Sequence, residues 1–215
     1  MNKQLTLDIK LRDDATFANY VGVAAKSVLE AGPWAYVYGQ PGSGRTHLLQ
    51  SCCHHYVGSI YLAGLGNLSP EVLDGLASLE VICIDDIEDV LGDVDWEEAI
   101  FHLMNAVKDQ GKRIFIAGPK RASGLKVKLP DLHSRLVAAM PIETDELNDE
   151  EKLSVLMQRA HGQGFYLGRD VGRFILSRSG RDMGQLLDLV HKLEIETLCQ
   201  GKRVTIPFVK QTLSL

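Results

Sequence analysis

A chain of 215 residues, 45% hydrophobic and 24% charged, has the make-up of a globular protein with room for one generous domain or two small ones. Its formal net charge of −5, with no lysine and arginine run longer than two, argues against binding DNA through bulk electrostatics. The four cysteines are too few for a disulfide framework, the charged opening excludes a secretory signal, and no apolar run approaches the ~18 residues of a membrane span. A soluble, cytoplasmic protein is expected.

The chain opens on QLTLDI, residues 4–9, in which Leu5, Leu7 and Ile9 alternate with Thr6 and Asp8. An extended backbone puts the three apolar groups on one face, as in the first strand of a sheet. GPWAYVYG, residues 32–39, reads as a turn and a short buried strand, and THLLQSCCHHYV has apolar spacing suited to a helix. SIYLA is a second strand candidate, and PEVLDGLASL a short helix opening with Pro70. VICI, residues 81–84, is the apolar, β-branched run of a central parallel strand. DWEEAIFHLMNAVKDQGK predicts a long amphipathic helix closed by Gly111, and RIFIAG another buried strand. Strands alternating with helices imply an α/β domain, a parallel sheet covered on both faces.

After MPIET the character changes. Asn148 is an expected N-cap with Glu151 three residues on, a capping-box pattern. Helical segments follow at about 169–179, 181–200 and 207–213. The expected organisation is an N-terminal tail over 1–16, an α/β domain over 17–146 and a small all-helical domain over 147–215.

GQPGSGRT, residues 39–46, lies between a predicted strand and a predicted helix. It fits G-x-x-x-x-G-K-[ST] except that Arg45 holds the lysine position. Gly39, Gly42 and Gly44 would let backbone N–H groups converge on an anion in a nucleotide-binding loop that also holds Pro41 and Ser43, at the helix start where Arg45, Thr46 and His47 follow. Thr46 would offer its hydroxyl to Mg2+. The strand at 81–84 runs into Asp85 and Asp86, and two acids at the end of a buried strand are costly unless a cation meets them. In P-loop proteins the first such acid holds Mg2+ and the second can orient the attacking water. Together these motifs predict a nucleotide site, with Thr46 and Asp85 acting through Mg2+. A guanidinium at 45 is wide and planar where an ammonium is compact. Diphosphate binding should survive that change, and fast hydrolysis in cis should not. CCHH, residues 52–55, offers two soft ligands on one helix face, too few for a zinc site.

With both motifs in hand, the chain resembles the AAA+ family, in the branch formed by the bacterial replication initiator DnaA and the shorter Hda-type regulators. The resemblance runs nearly the whole length, through DDATFANYV, VLDGL, ICIDDIEDV, WEEAIFHLMN, LPDLHSRL, DEEKLSVLMQRA, DVGRFILSR and TIPFVKQTLSL. It implies an AAA+ core followed by a helical lid, and it places Tyr20 and Val21 in the segment that packs on adenine. The opening hexad is similar to the sliding-clamp-binding peptide of this branch, with Gln4, Leu5, Leu7 and Ile9 as its anchors; an extended peptide would set leucines into an apolar pocket. Residues 10–16, fully extended, would span roughly 23 Å at about 3.3 Å per residue, enough to free that peptide. Arg135, in LPDLHSRL, matches the arginine finger that reaches a neighbour's nucleotide; pairing with Asp131 one turn earlier is the plain alternative.

The resemblance implies regulatory inactivation of DnaA: the protein, with ADP or another nucleoside diphosphate and Mg2+, would ride the DNA polymerase III sliding clamp and stimulate hydrolysis of DnaA-bound ATP in trans. It also admits self-association as a homo-oligomer, and implies no sequence-specific DNA binding and no membrane. Three positions depart from the family pattern. Arg45 replaces lysine, Ala117-Gly118-Pro119 lacks the polar residue that senses the γ-phosphate, and Gly184 stands where the lid places a phosphate-touching arginine, with Arg181 three residues earlier. Weak or absent intrinsic ATPase activity follows. The other readings are a helicase-loader-like ATPase and a DnaA-like origin-binding module.

Overall fold

The computed structural model describes residues 11–12, 15–144, 146–180 and 182–213. It divides into two compact units, Met1–Gln40 with Gly44–Thr144, and Pro41–Ser43 with Asp145–Leu215.

The first unit is built on five strands: β1 (Trp34–Tyr38), β2 (Ser59–Leu62), β3 (Val81–Ile84), β4 (Arg113–Gly118) and β5 (Met140–Glu143). They form one sheet in the order β2-β3-β4-β1-β5, and every neighbouring pair is parallel. Parallel strands need crossover helices, which cover both faces and drive continuous apolar runs such as VICI and WAYVY. Alternate side chains serve the two faces. Ala35, Val37, Cys83 and Phe115 pack with Val28 of α1 (Ala24–Leu29) and with Leu48 and Leu49 of α2 (Arg45–His55). Tyr36, Ile82, Ile84, Ile114 and Ile116 pack with Ile100 and Met104 of α3 (Val94–Asp109) and with Leu132 and Leu136 of α4 (Pro130–Ala138).

Two stretches differ from the sequence expectation. The helix expected over PEVLDGLASL is instead a pair of 3-10 turns, Pro70–Leu73 and Leu76–Ser78. Asp74 is extended (φ −62°, ψ 131°) and Gly75 is left-handed (φ 76°), so no α-helical ladder crosses them. The edge strand β5 is also absent from the sequence reading, because only Ile142 of its four residues is buried and no apolar alternation betrays it.

The second unit holds α5 (Asp149–Gly162), α6 (Arg169–Arg178), α7 (Met183–Gln200) and α8 (Ile206–Leu213) around Leu156, Ile175, Leu186, Val190 and Phe208. Helix α5 begins with the expected capping box. Glu151 N donates to Asn148 Oδ1 at 3.0 Å, and Asn148 N donates to Glu151 Oε2 at 2.8 Å. Among the described residues no helix is long and apolar enough to cross a membrane.

Candidate functional site

The glycine-rich loop leaves the end of β1 and runs directly into α2. Gly42 (φ 79°) and Gly44 (φ 93°) are left-handed, a conformation that only glycine adopts freely. Gly44 is the N-cap of α2, and no side chain caps that start. The first-turn N–H groups, which a helix cannot satisfy internally, are therefore presented to an anion. A Cβ on Gly44 would come within 3.2 Å of the Tyr20 ring, so a side chain there would crowd the ring as well as strain the backbone. Tyr20 in turn meets His47 edge-on, with ring centroids 5.6 Å apart. His47 Nε2 lies 3.0 Å from the Thr16 carbonyl oxygen, placed to donate to it. The segment carrying Tyr20 and Val21 is thus fastened to the first turns of α2.

Burial holds the His47 imidazole below its ordinary pKa; the Thr16 carbonyl opposes this and the Arg12 charge adds to it. The unfolded chain takes up that proton near pH 6.5, whereas the folded chain takes it up only at lower pH. Between those values the unfolded state binds more protons, so stability is lost as pH falls below about 6.5. Melting curves from pH 7.5 to 5.5 should show a steeper loss of Tm for the parent than for His47→Gln, whose amide can still donate to Thr16. Identical profiles would remove His47 as the linked group.

Asp85 stands at the end of β3 and is 1% exposed. Its Oδ2 accepts from the Tyr61 hydroxyl at 2.8 Å and its Oδ1 from Asp86 N at 3.1 Å. Burial and the facing Asp85 carboxylate push the Tyr61 phenol well up, so it remains a donor. Asp86 is left-handed (φ 46°), which aspartate tolerates better than most residues. Its Oδ1 accepts from Arg45 Nη2 at 3.4 Å, while Arg45 Nη1 lies 3.8 Å from Glu88 Oε1. Burial raises the Asp86 carboxyl, the Asp85 charge adds to this, and Arg45 opposes it. Glu88 is raised in the same way, by burial first.

These residues fit a nucleotide and its metal. Arg45 Nη1 is buried and makes no hydrogen bond among the described residues, an unspent donor beside the open start of α2. Asp85 is held in one orientation, and each of its oxygens keeps a lone pair for a metal or its water. Thr46 occupies the second position of α2, within its first turn.

The departures have structural counterparts. A Cβ at position 118 would overlap the Tyr36 hydroxyl, which donates to the Lys120 carbonyl oxygen at 3.0 Å. The end of β4 has no space for a γ-phosphate-sensing side chain at that position. Gly184 lies in the first turn of α7, and Arg181 lies outside the described residues, as do Gln4, Leu5, Leu7 and Ile9.

Arg135 stands apart from this cluster, on α4. Its guanidinium lies over the Trp34 ring (5.3 Å) and the Phe101 ring (5.8 Å), and its Nε donates to Asn105 Oδ1 at 3.1 Å. The partner is therefore Asn105 of α3 rather than Asp131. The Trp34 ring is itself fixed, donating from Nε1 to the Met104 carbonyl oxygen at 2.8 Å. The terminal nitrogens of Arg135 make no hydrogen bond among the described residues.

Sequence reading did not single out Tyr61, Glu88, Tyr36 or Asn105. Glu88 was the most accessible of them, two residues past the acid pair, and Phe101 and Asn105 share a helix face at i, i+4. Tyr61 and Tyr36 carried no signal beyond being aromatic strand residues.

Comparison with known proteins agrees with this architecture. Residues 149–213 match the family model described as "Hda, lid domain". Over 231 aligned residues the chain is 38% identical to an uncharacterized protein of Haemophilus influenzae, covering 100% of both. Domain III of the Thermotoga maritima replication initiation protein DnaA superposes with a TM-score of 0.81 at 22% identity, over 96% of this chain and 98% of that one. AMPPCP-bound DnaA from Aquifex aeolicus gives a TM-score of 0.71 at 18% identity, over 95% of this chain and 70% of that one. The chain therefore belongs to the Hda-like, DnaA-homologous AAA+ family.

Proposed function

We propose that the protein is a nucleotide-bound regulator of replication initiation that, carried by the sliding clamp, stimulates hydrolysis of DnaA-bound ATP in trans. As an Hda-like homologue of DnaA it is a DnaA-related replication regulator. The finer reading rests chiefly on Arg135. Its guanidinium lies against two aromatic rings, its Nε is engaged, and its terminal nitrogens make no hydrogen bond among the described residues. A fork held this way is ready to meet the charge that develops on a γ-phosphoryl group outside its own chain.

The protein's own nucleotide would be ADP, held by the uncapped start of α2 and the neighbouring Tyr20 segment. Arg45, held through Nη2 by Asp86, would supply a charged donor from Nη1, which lies 3.8 Å from Glu88 Oε1 and makes no hydrogen bond to it. Mg2+, when bound through Thr46 and Asp85, would neutralise phosphate charge. Turnover in cis is near background, because Arg45 is drawn toward two carboxylates and Gly118 offers no sensing group. The clamp contact belongs to residues 4–9, where the support is the alternation of Leu5, Leu7 and Ile9 behind Gln4.

ADP should raise the melting temperature, since a ligand at a hundred times its Kd adds about 2.7 kcal/mol. No shift at millimolar ADP with Mg2+ would rule out the phosphate loop as a working site. The trans activity is tested with ATP-loaded DnaA, DNA-loaded clamp and this protein, following ADP over time. Acceleration that requires both clamp and protein supports the reading, and its absence refutes it.

A further inference from the structure

Glu97 is a carboxylate on α3 with no exposed surface. Such burial is costly unless strong donors meet the oxygens. Three backbone N–H groups do. Gly92 N donates to Oε1 at 2.7 Å, Lys128 N donates to the same oxygen at 3.1 Å, and Leu129 N donates to Oε2 at 2.6 Å. Gly92 precedes α3, and Leu129 is the N-cap of α4, whose start no residue of its own caps by side chain. One carboxylate thus ties the turn before α3 to the start of α4, where an orphan N–H group and the helix dipole both favour an anion. It does for α4 what the glutamate of a capping box does for its own helix, but from a neighbouring one.

Helix α4 meets α3 again where Arg135 donates to Asn105 and lies over Phe101. Leu129 and Arg135 are about 9 Å apart along α4 at ~1.5 Å per residue. A helix gripped at its first residue can neither slide nor turn without moving that guanidinium. We propose that Glu97 is a positioning residue for the trans reaction: its buried carboxylate clasps the start of α4 to α3 and so sets where Arg135 points. This rests on the reading of Arg135 as the finger.

Glu97→Gln tests it, keeping the size but placing an NH2 among three donors, so that not all three bonds can survive. In the full-length variant the Lys128 and Leu129 amides should exchange at least about tenfold faster, with β3 unchanged. At a temperature where the variant is folded and binds ADP as the parent does, the maximal stimulated hydrolysis of DnaA-bound ATP should fall about 10²-fold. The protein concentration giving half-maximal stimulation should not move. Unchanged exchange at 128 and 129 would show that Glu97 does not hold α4. Faster exchange with an undiminished maximal rate, or parallel loss of ADP binding, would make the clasp merely structural. A parent protein without stimulation would sink the finger reading instead, and the exchange measurement keeps the two failures apart.

Discussion

Arg135→Ala should remain folded, still bind the clamp and ADP, and fail to stimulate hydrolysis of DnaA-bound ATP. A finger acting in trans is typically worth ~10³–10⁵ in rate, or about 4–7 kcal/mol. The structural cost of removing it is much smaller. The side chain loses one hydrogen bond to Asn105, about 0.5–1.5 kcal/mol net, and cation–π contacts worth roughly 0.5–1 kcal/mol at a partly exposed site. The two effects differ by several kcal/mol, so a melt and a hydrolysis time course separate them. Lysine at 135 should rescue little, because an ammonium is a point charge without the planar pair of donors that a guanidinium presents. Stimulation by Arg135→Ala equal to the parent's would place the finger elsewhere or remove the activity from this protein.

The second large effect is at the other end of the chain. Replacing Leu5 and Leu7 with alanine should weaken clamp binding by about 10³-fold, since two apolar anchors at an interface hot spot are worth roughly 2 kcal/mol each. The thermal melt should be almost unchanged. Two leucines taken from a folded core would instead cost roughly 4–10 kcal/mol, which no melt could miss. Surface plasmon resonance on immobilised clamp, paired with calorimetry, distinguishes a docking peptide from a first strand. Binding retained by the double variant would discard the clamp assignment. Loss of stability would restore the strand.

The glycine-rich loop and the helix start behind it were legible in the sequence because their residues are contiguous. Glycines, arginine and threonine follow one another between a strand and a helix, and the helix start they form is a local property of the backbone. The buried strands were legible for a similar reason: a central parallel strand is apolar on both faces, and VICI and RIFIAG announce themselves. The exceptions had weak local signals. Strand β5 buries one residue in four, and the 74–75 break overrides a helical apolar spacing with two backbone angles.

The sequence alone determined that this is a parallel α/β protein with a capped helical unit, a glycine-rich loop between a strand and a helix, and a paired acid at a strand end. Only the tertiary structure decided which groups those residues face. Arg45 meets Asp86 and Glu88, Asp85 takes the Tyr61 hydroxyl, Tyr36 closes the space over Gly118, and Arg135 leaves Asp131 for Asn105. Each of these partners comes from a different element, brought close by the strand order β2-β3-β4-β1-β5 and the helices packed on it. Backbone conformation and burial propensity are written in neighbouring residues, so pattern reveals them. A side chain's hydrogen-bond partner is chosen by distance in space, and that distance exists only once the sheet has assembled.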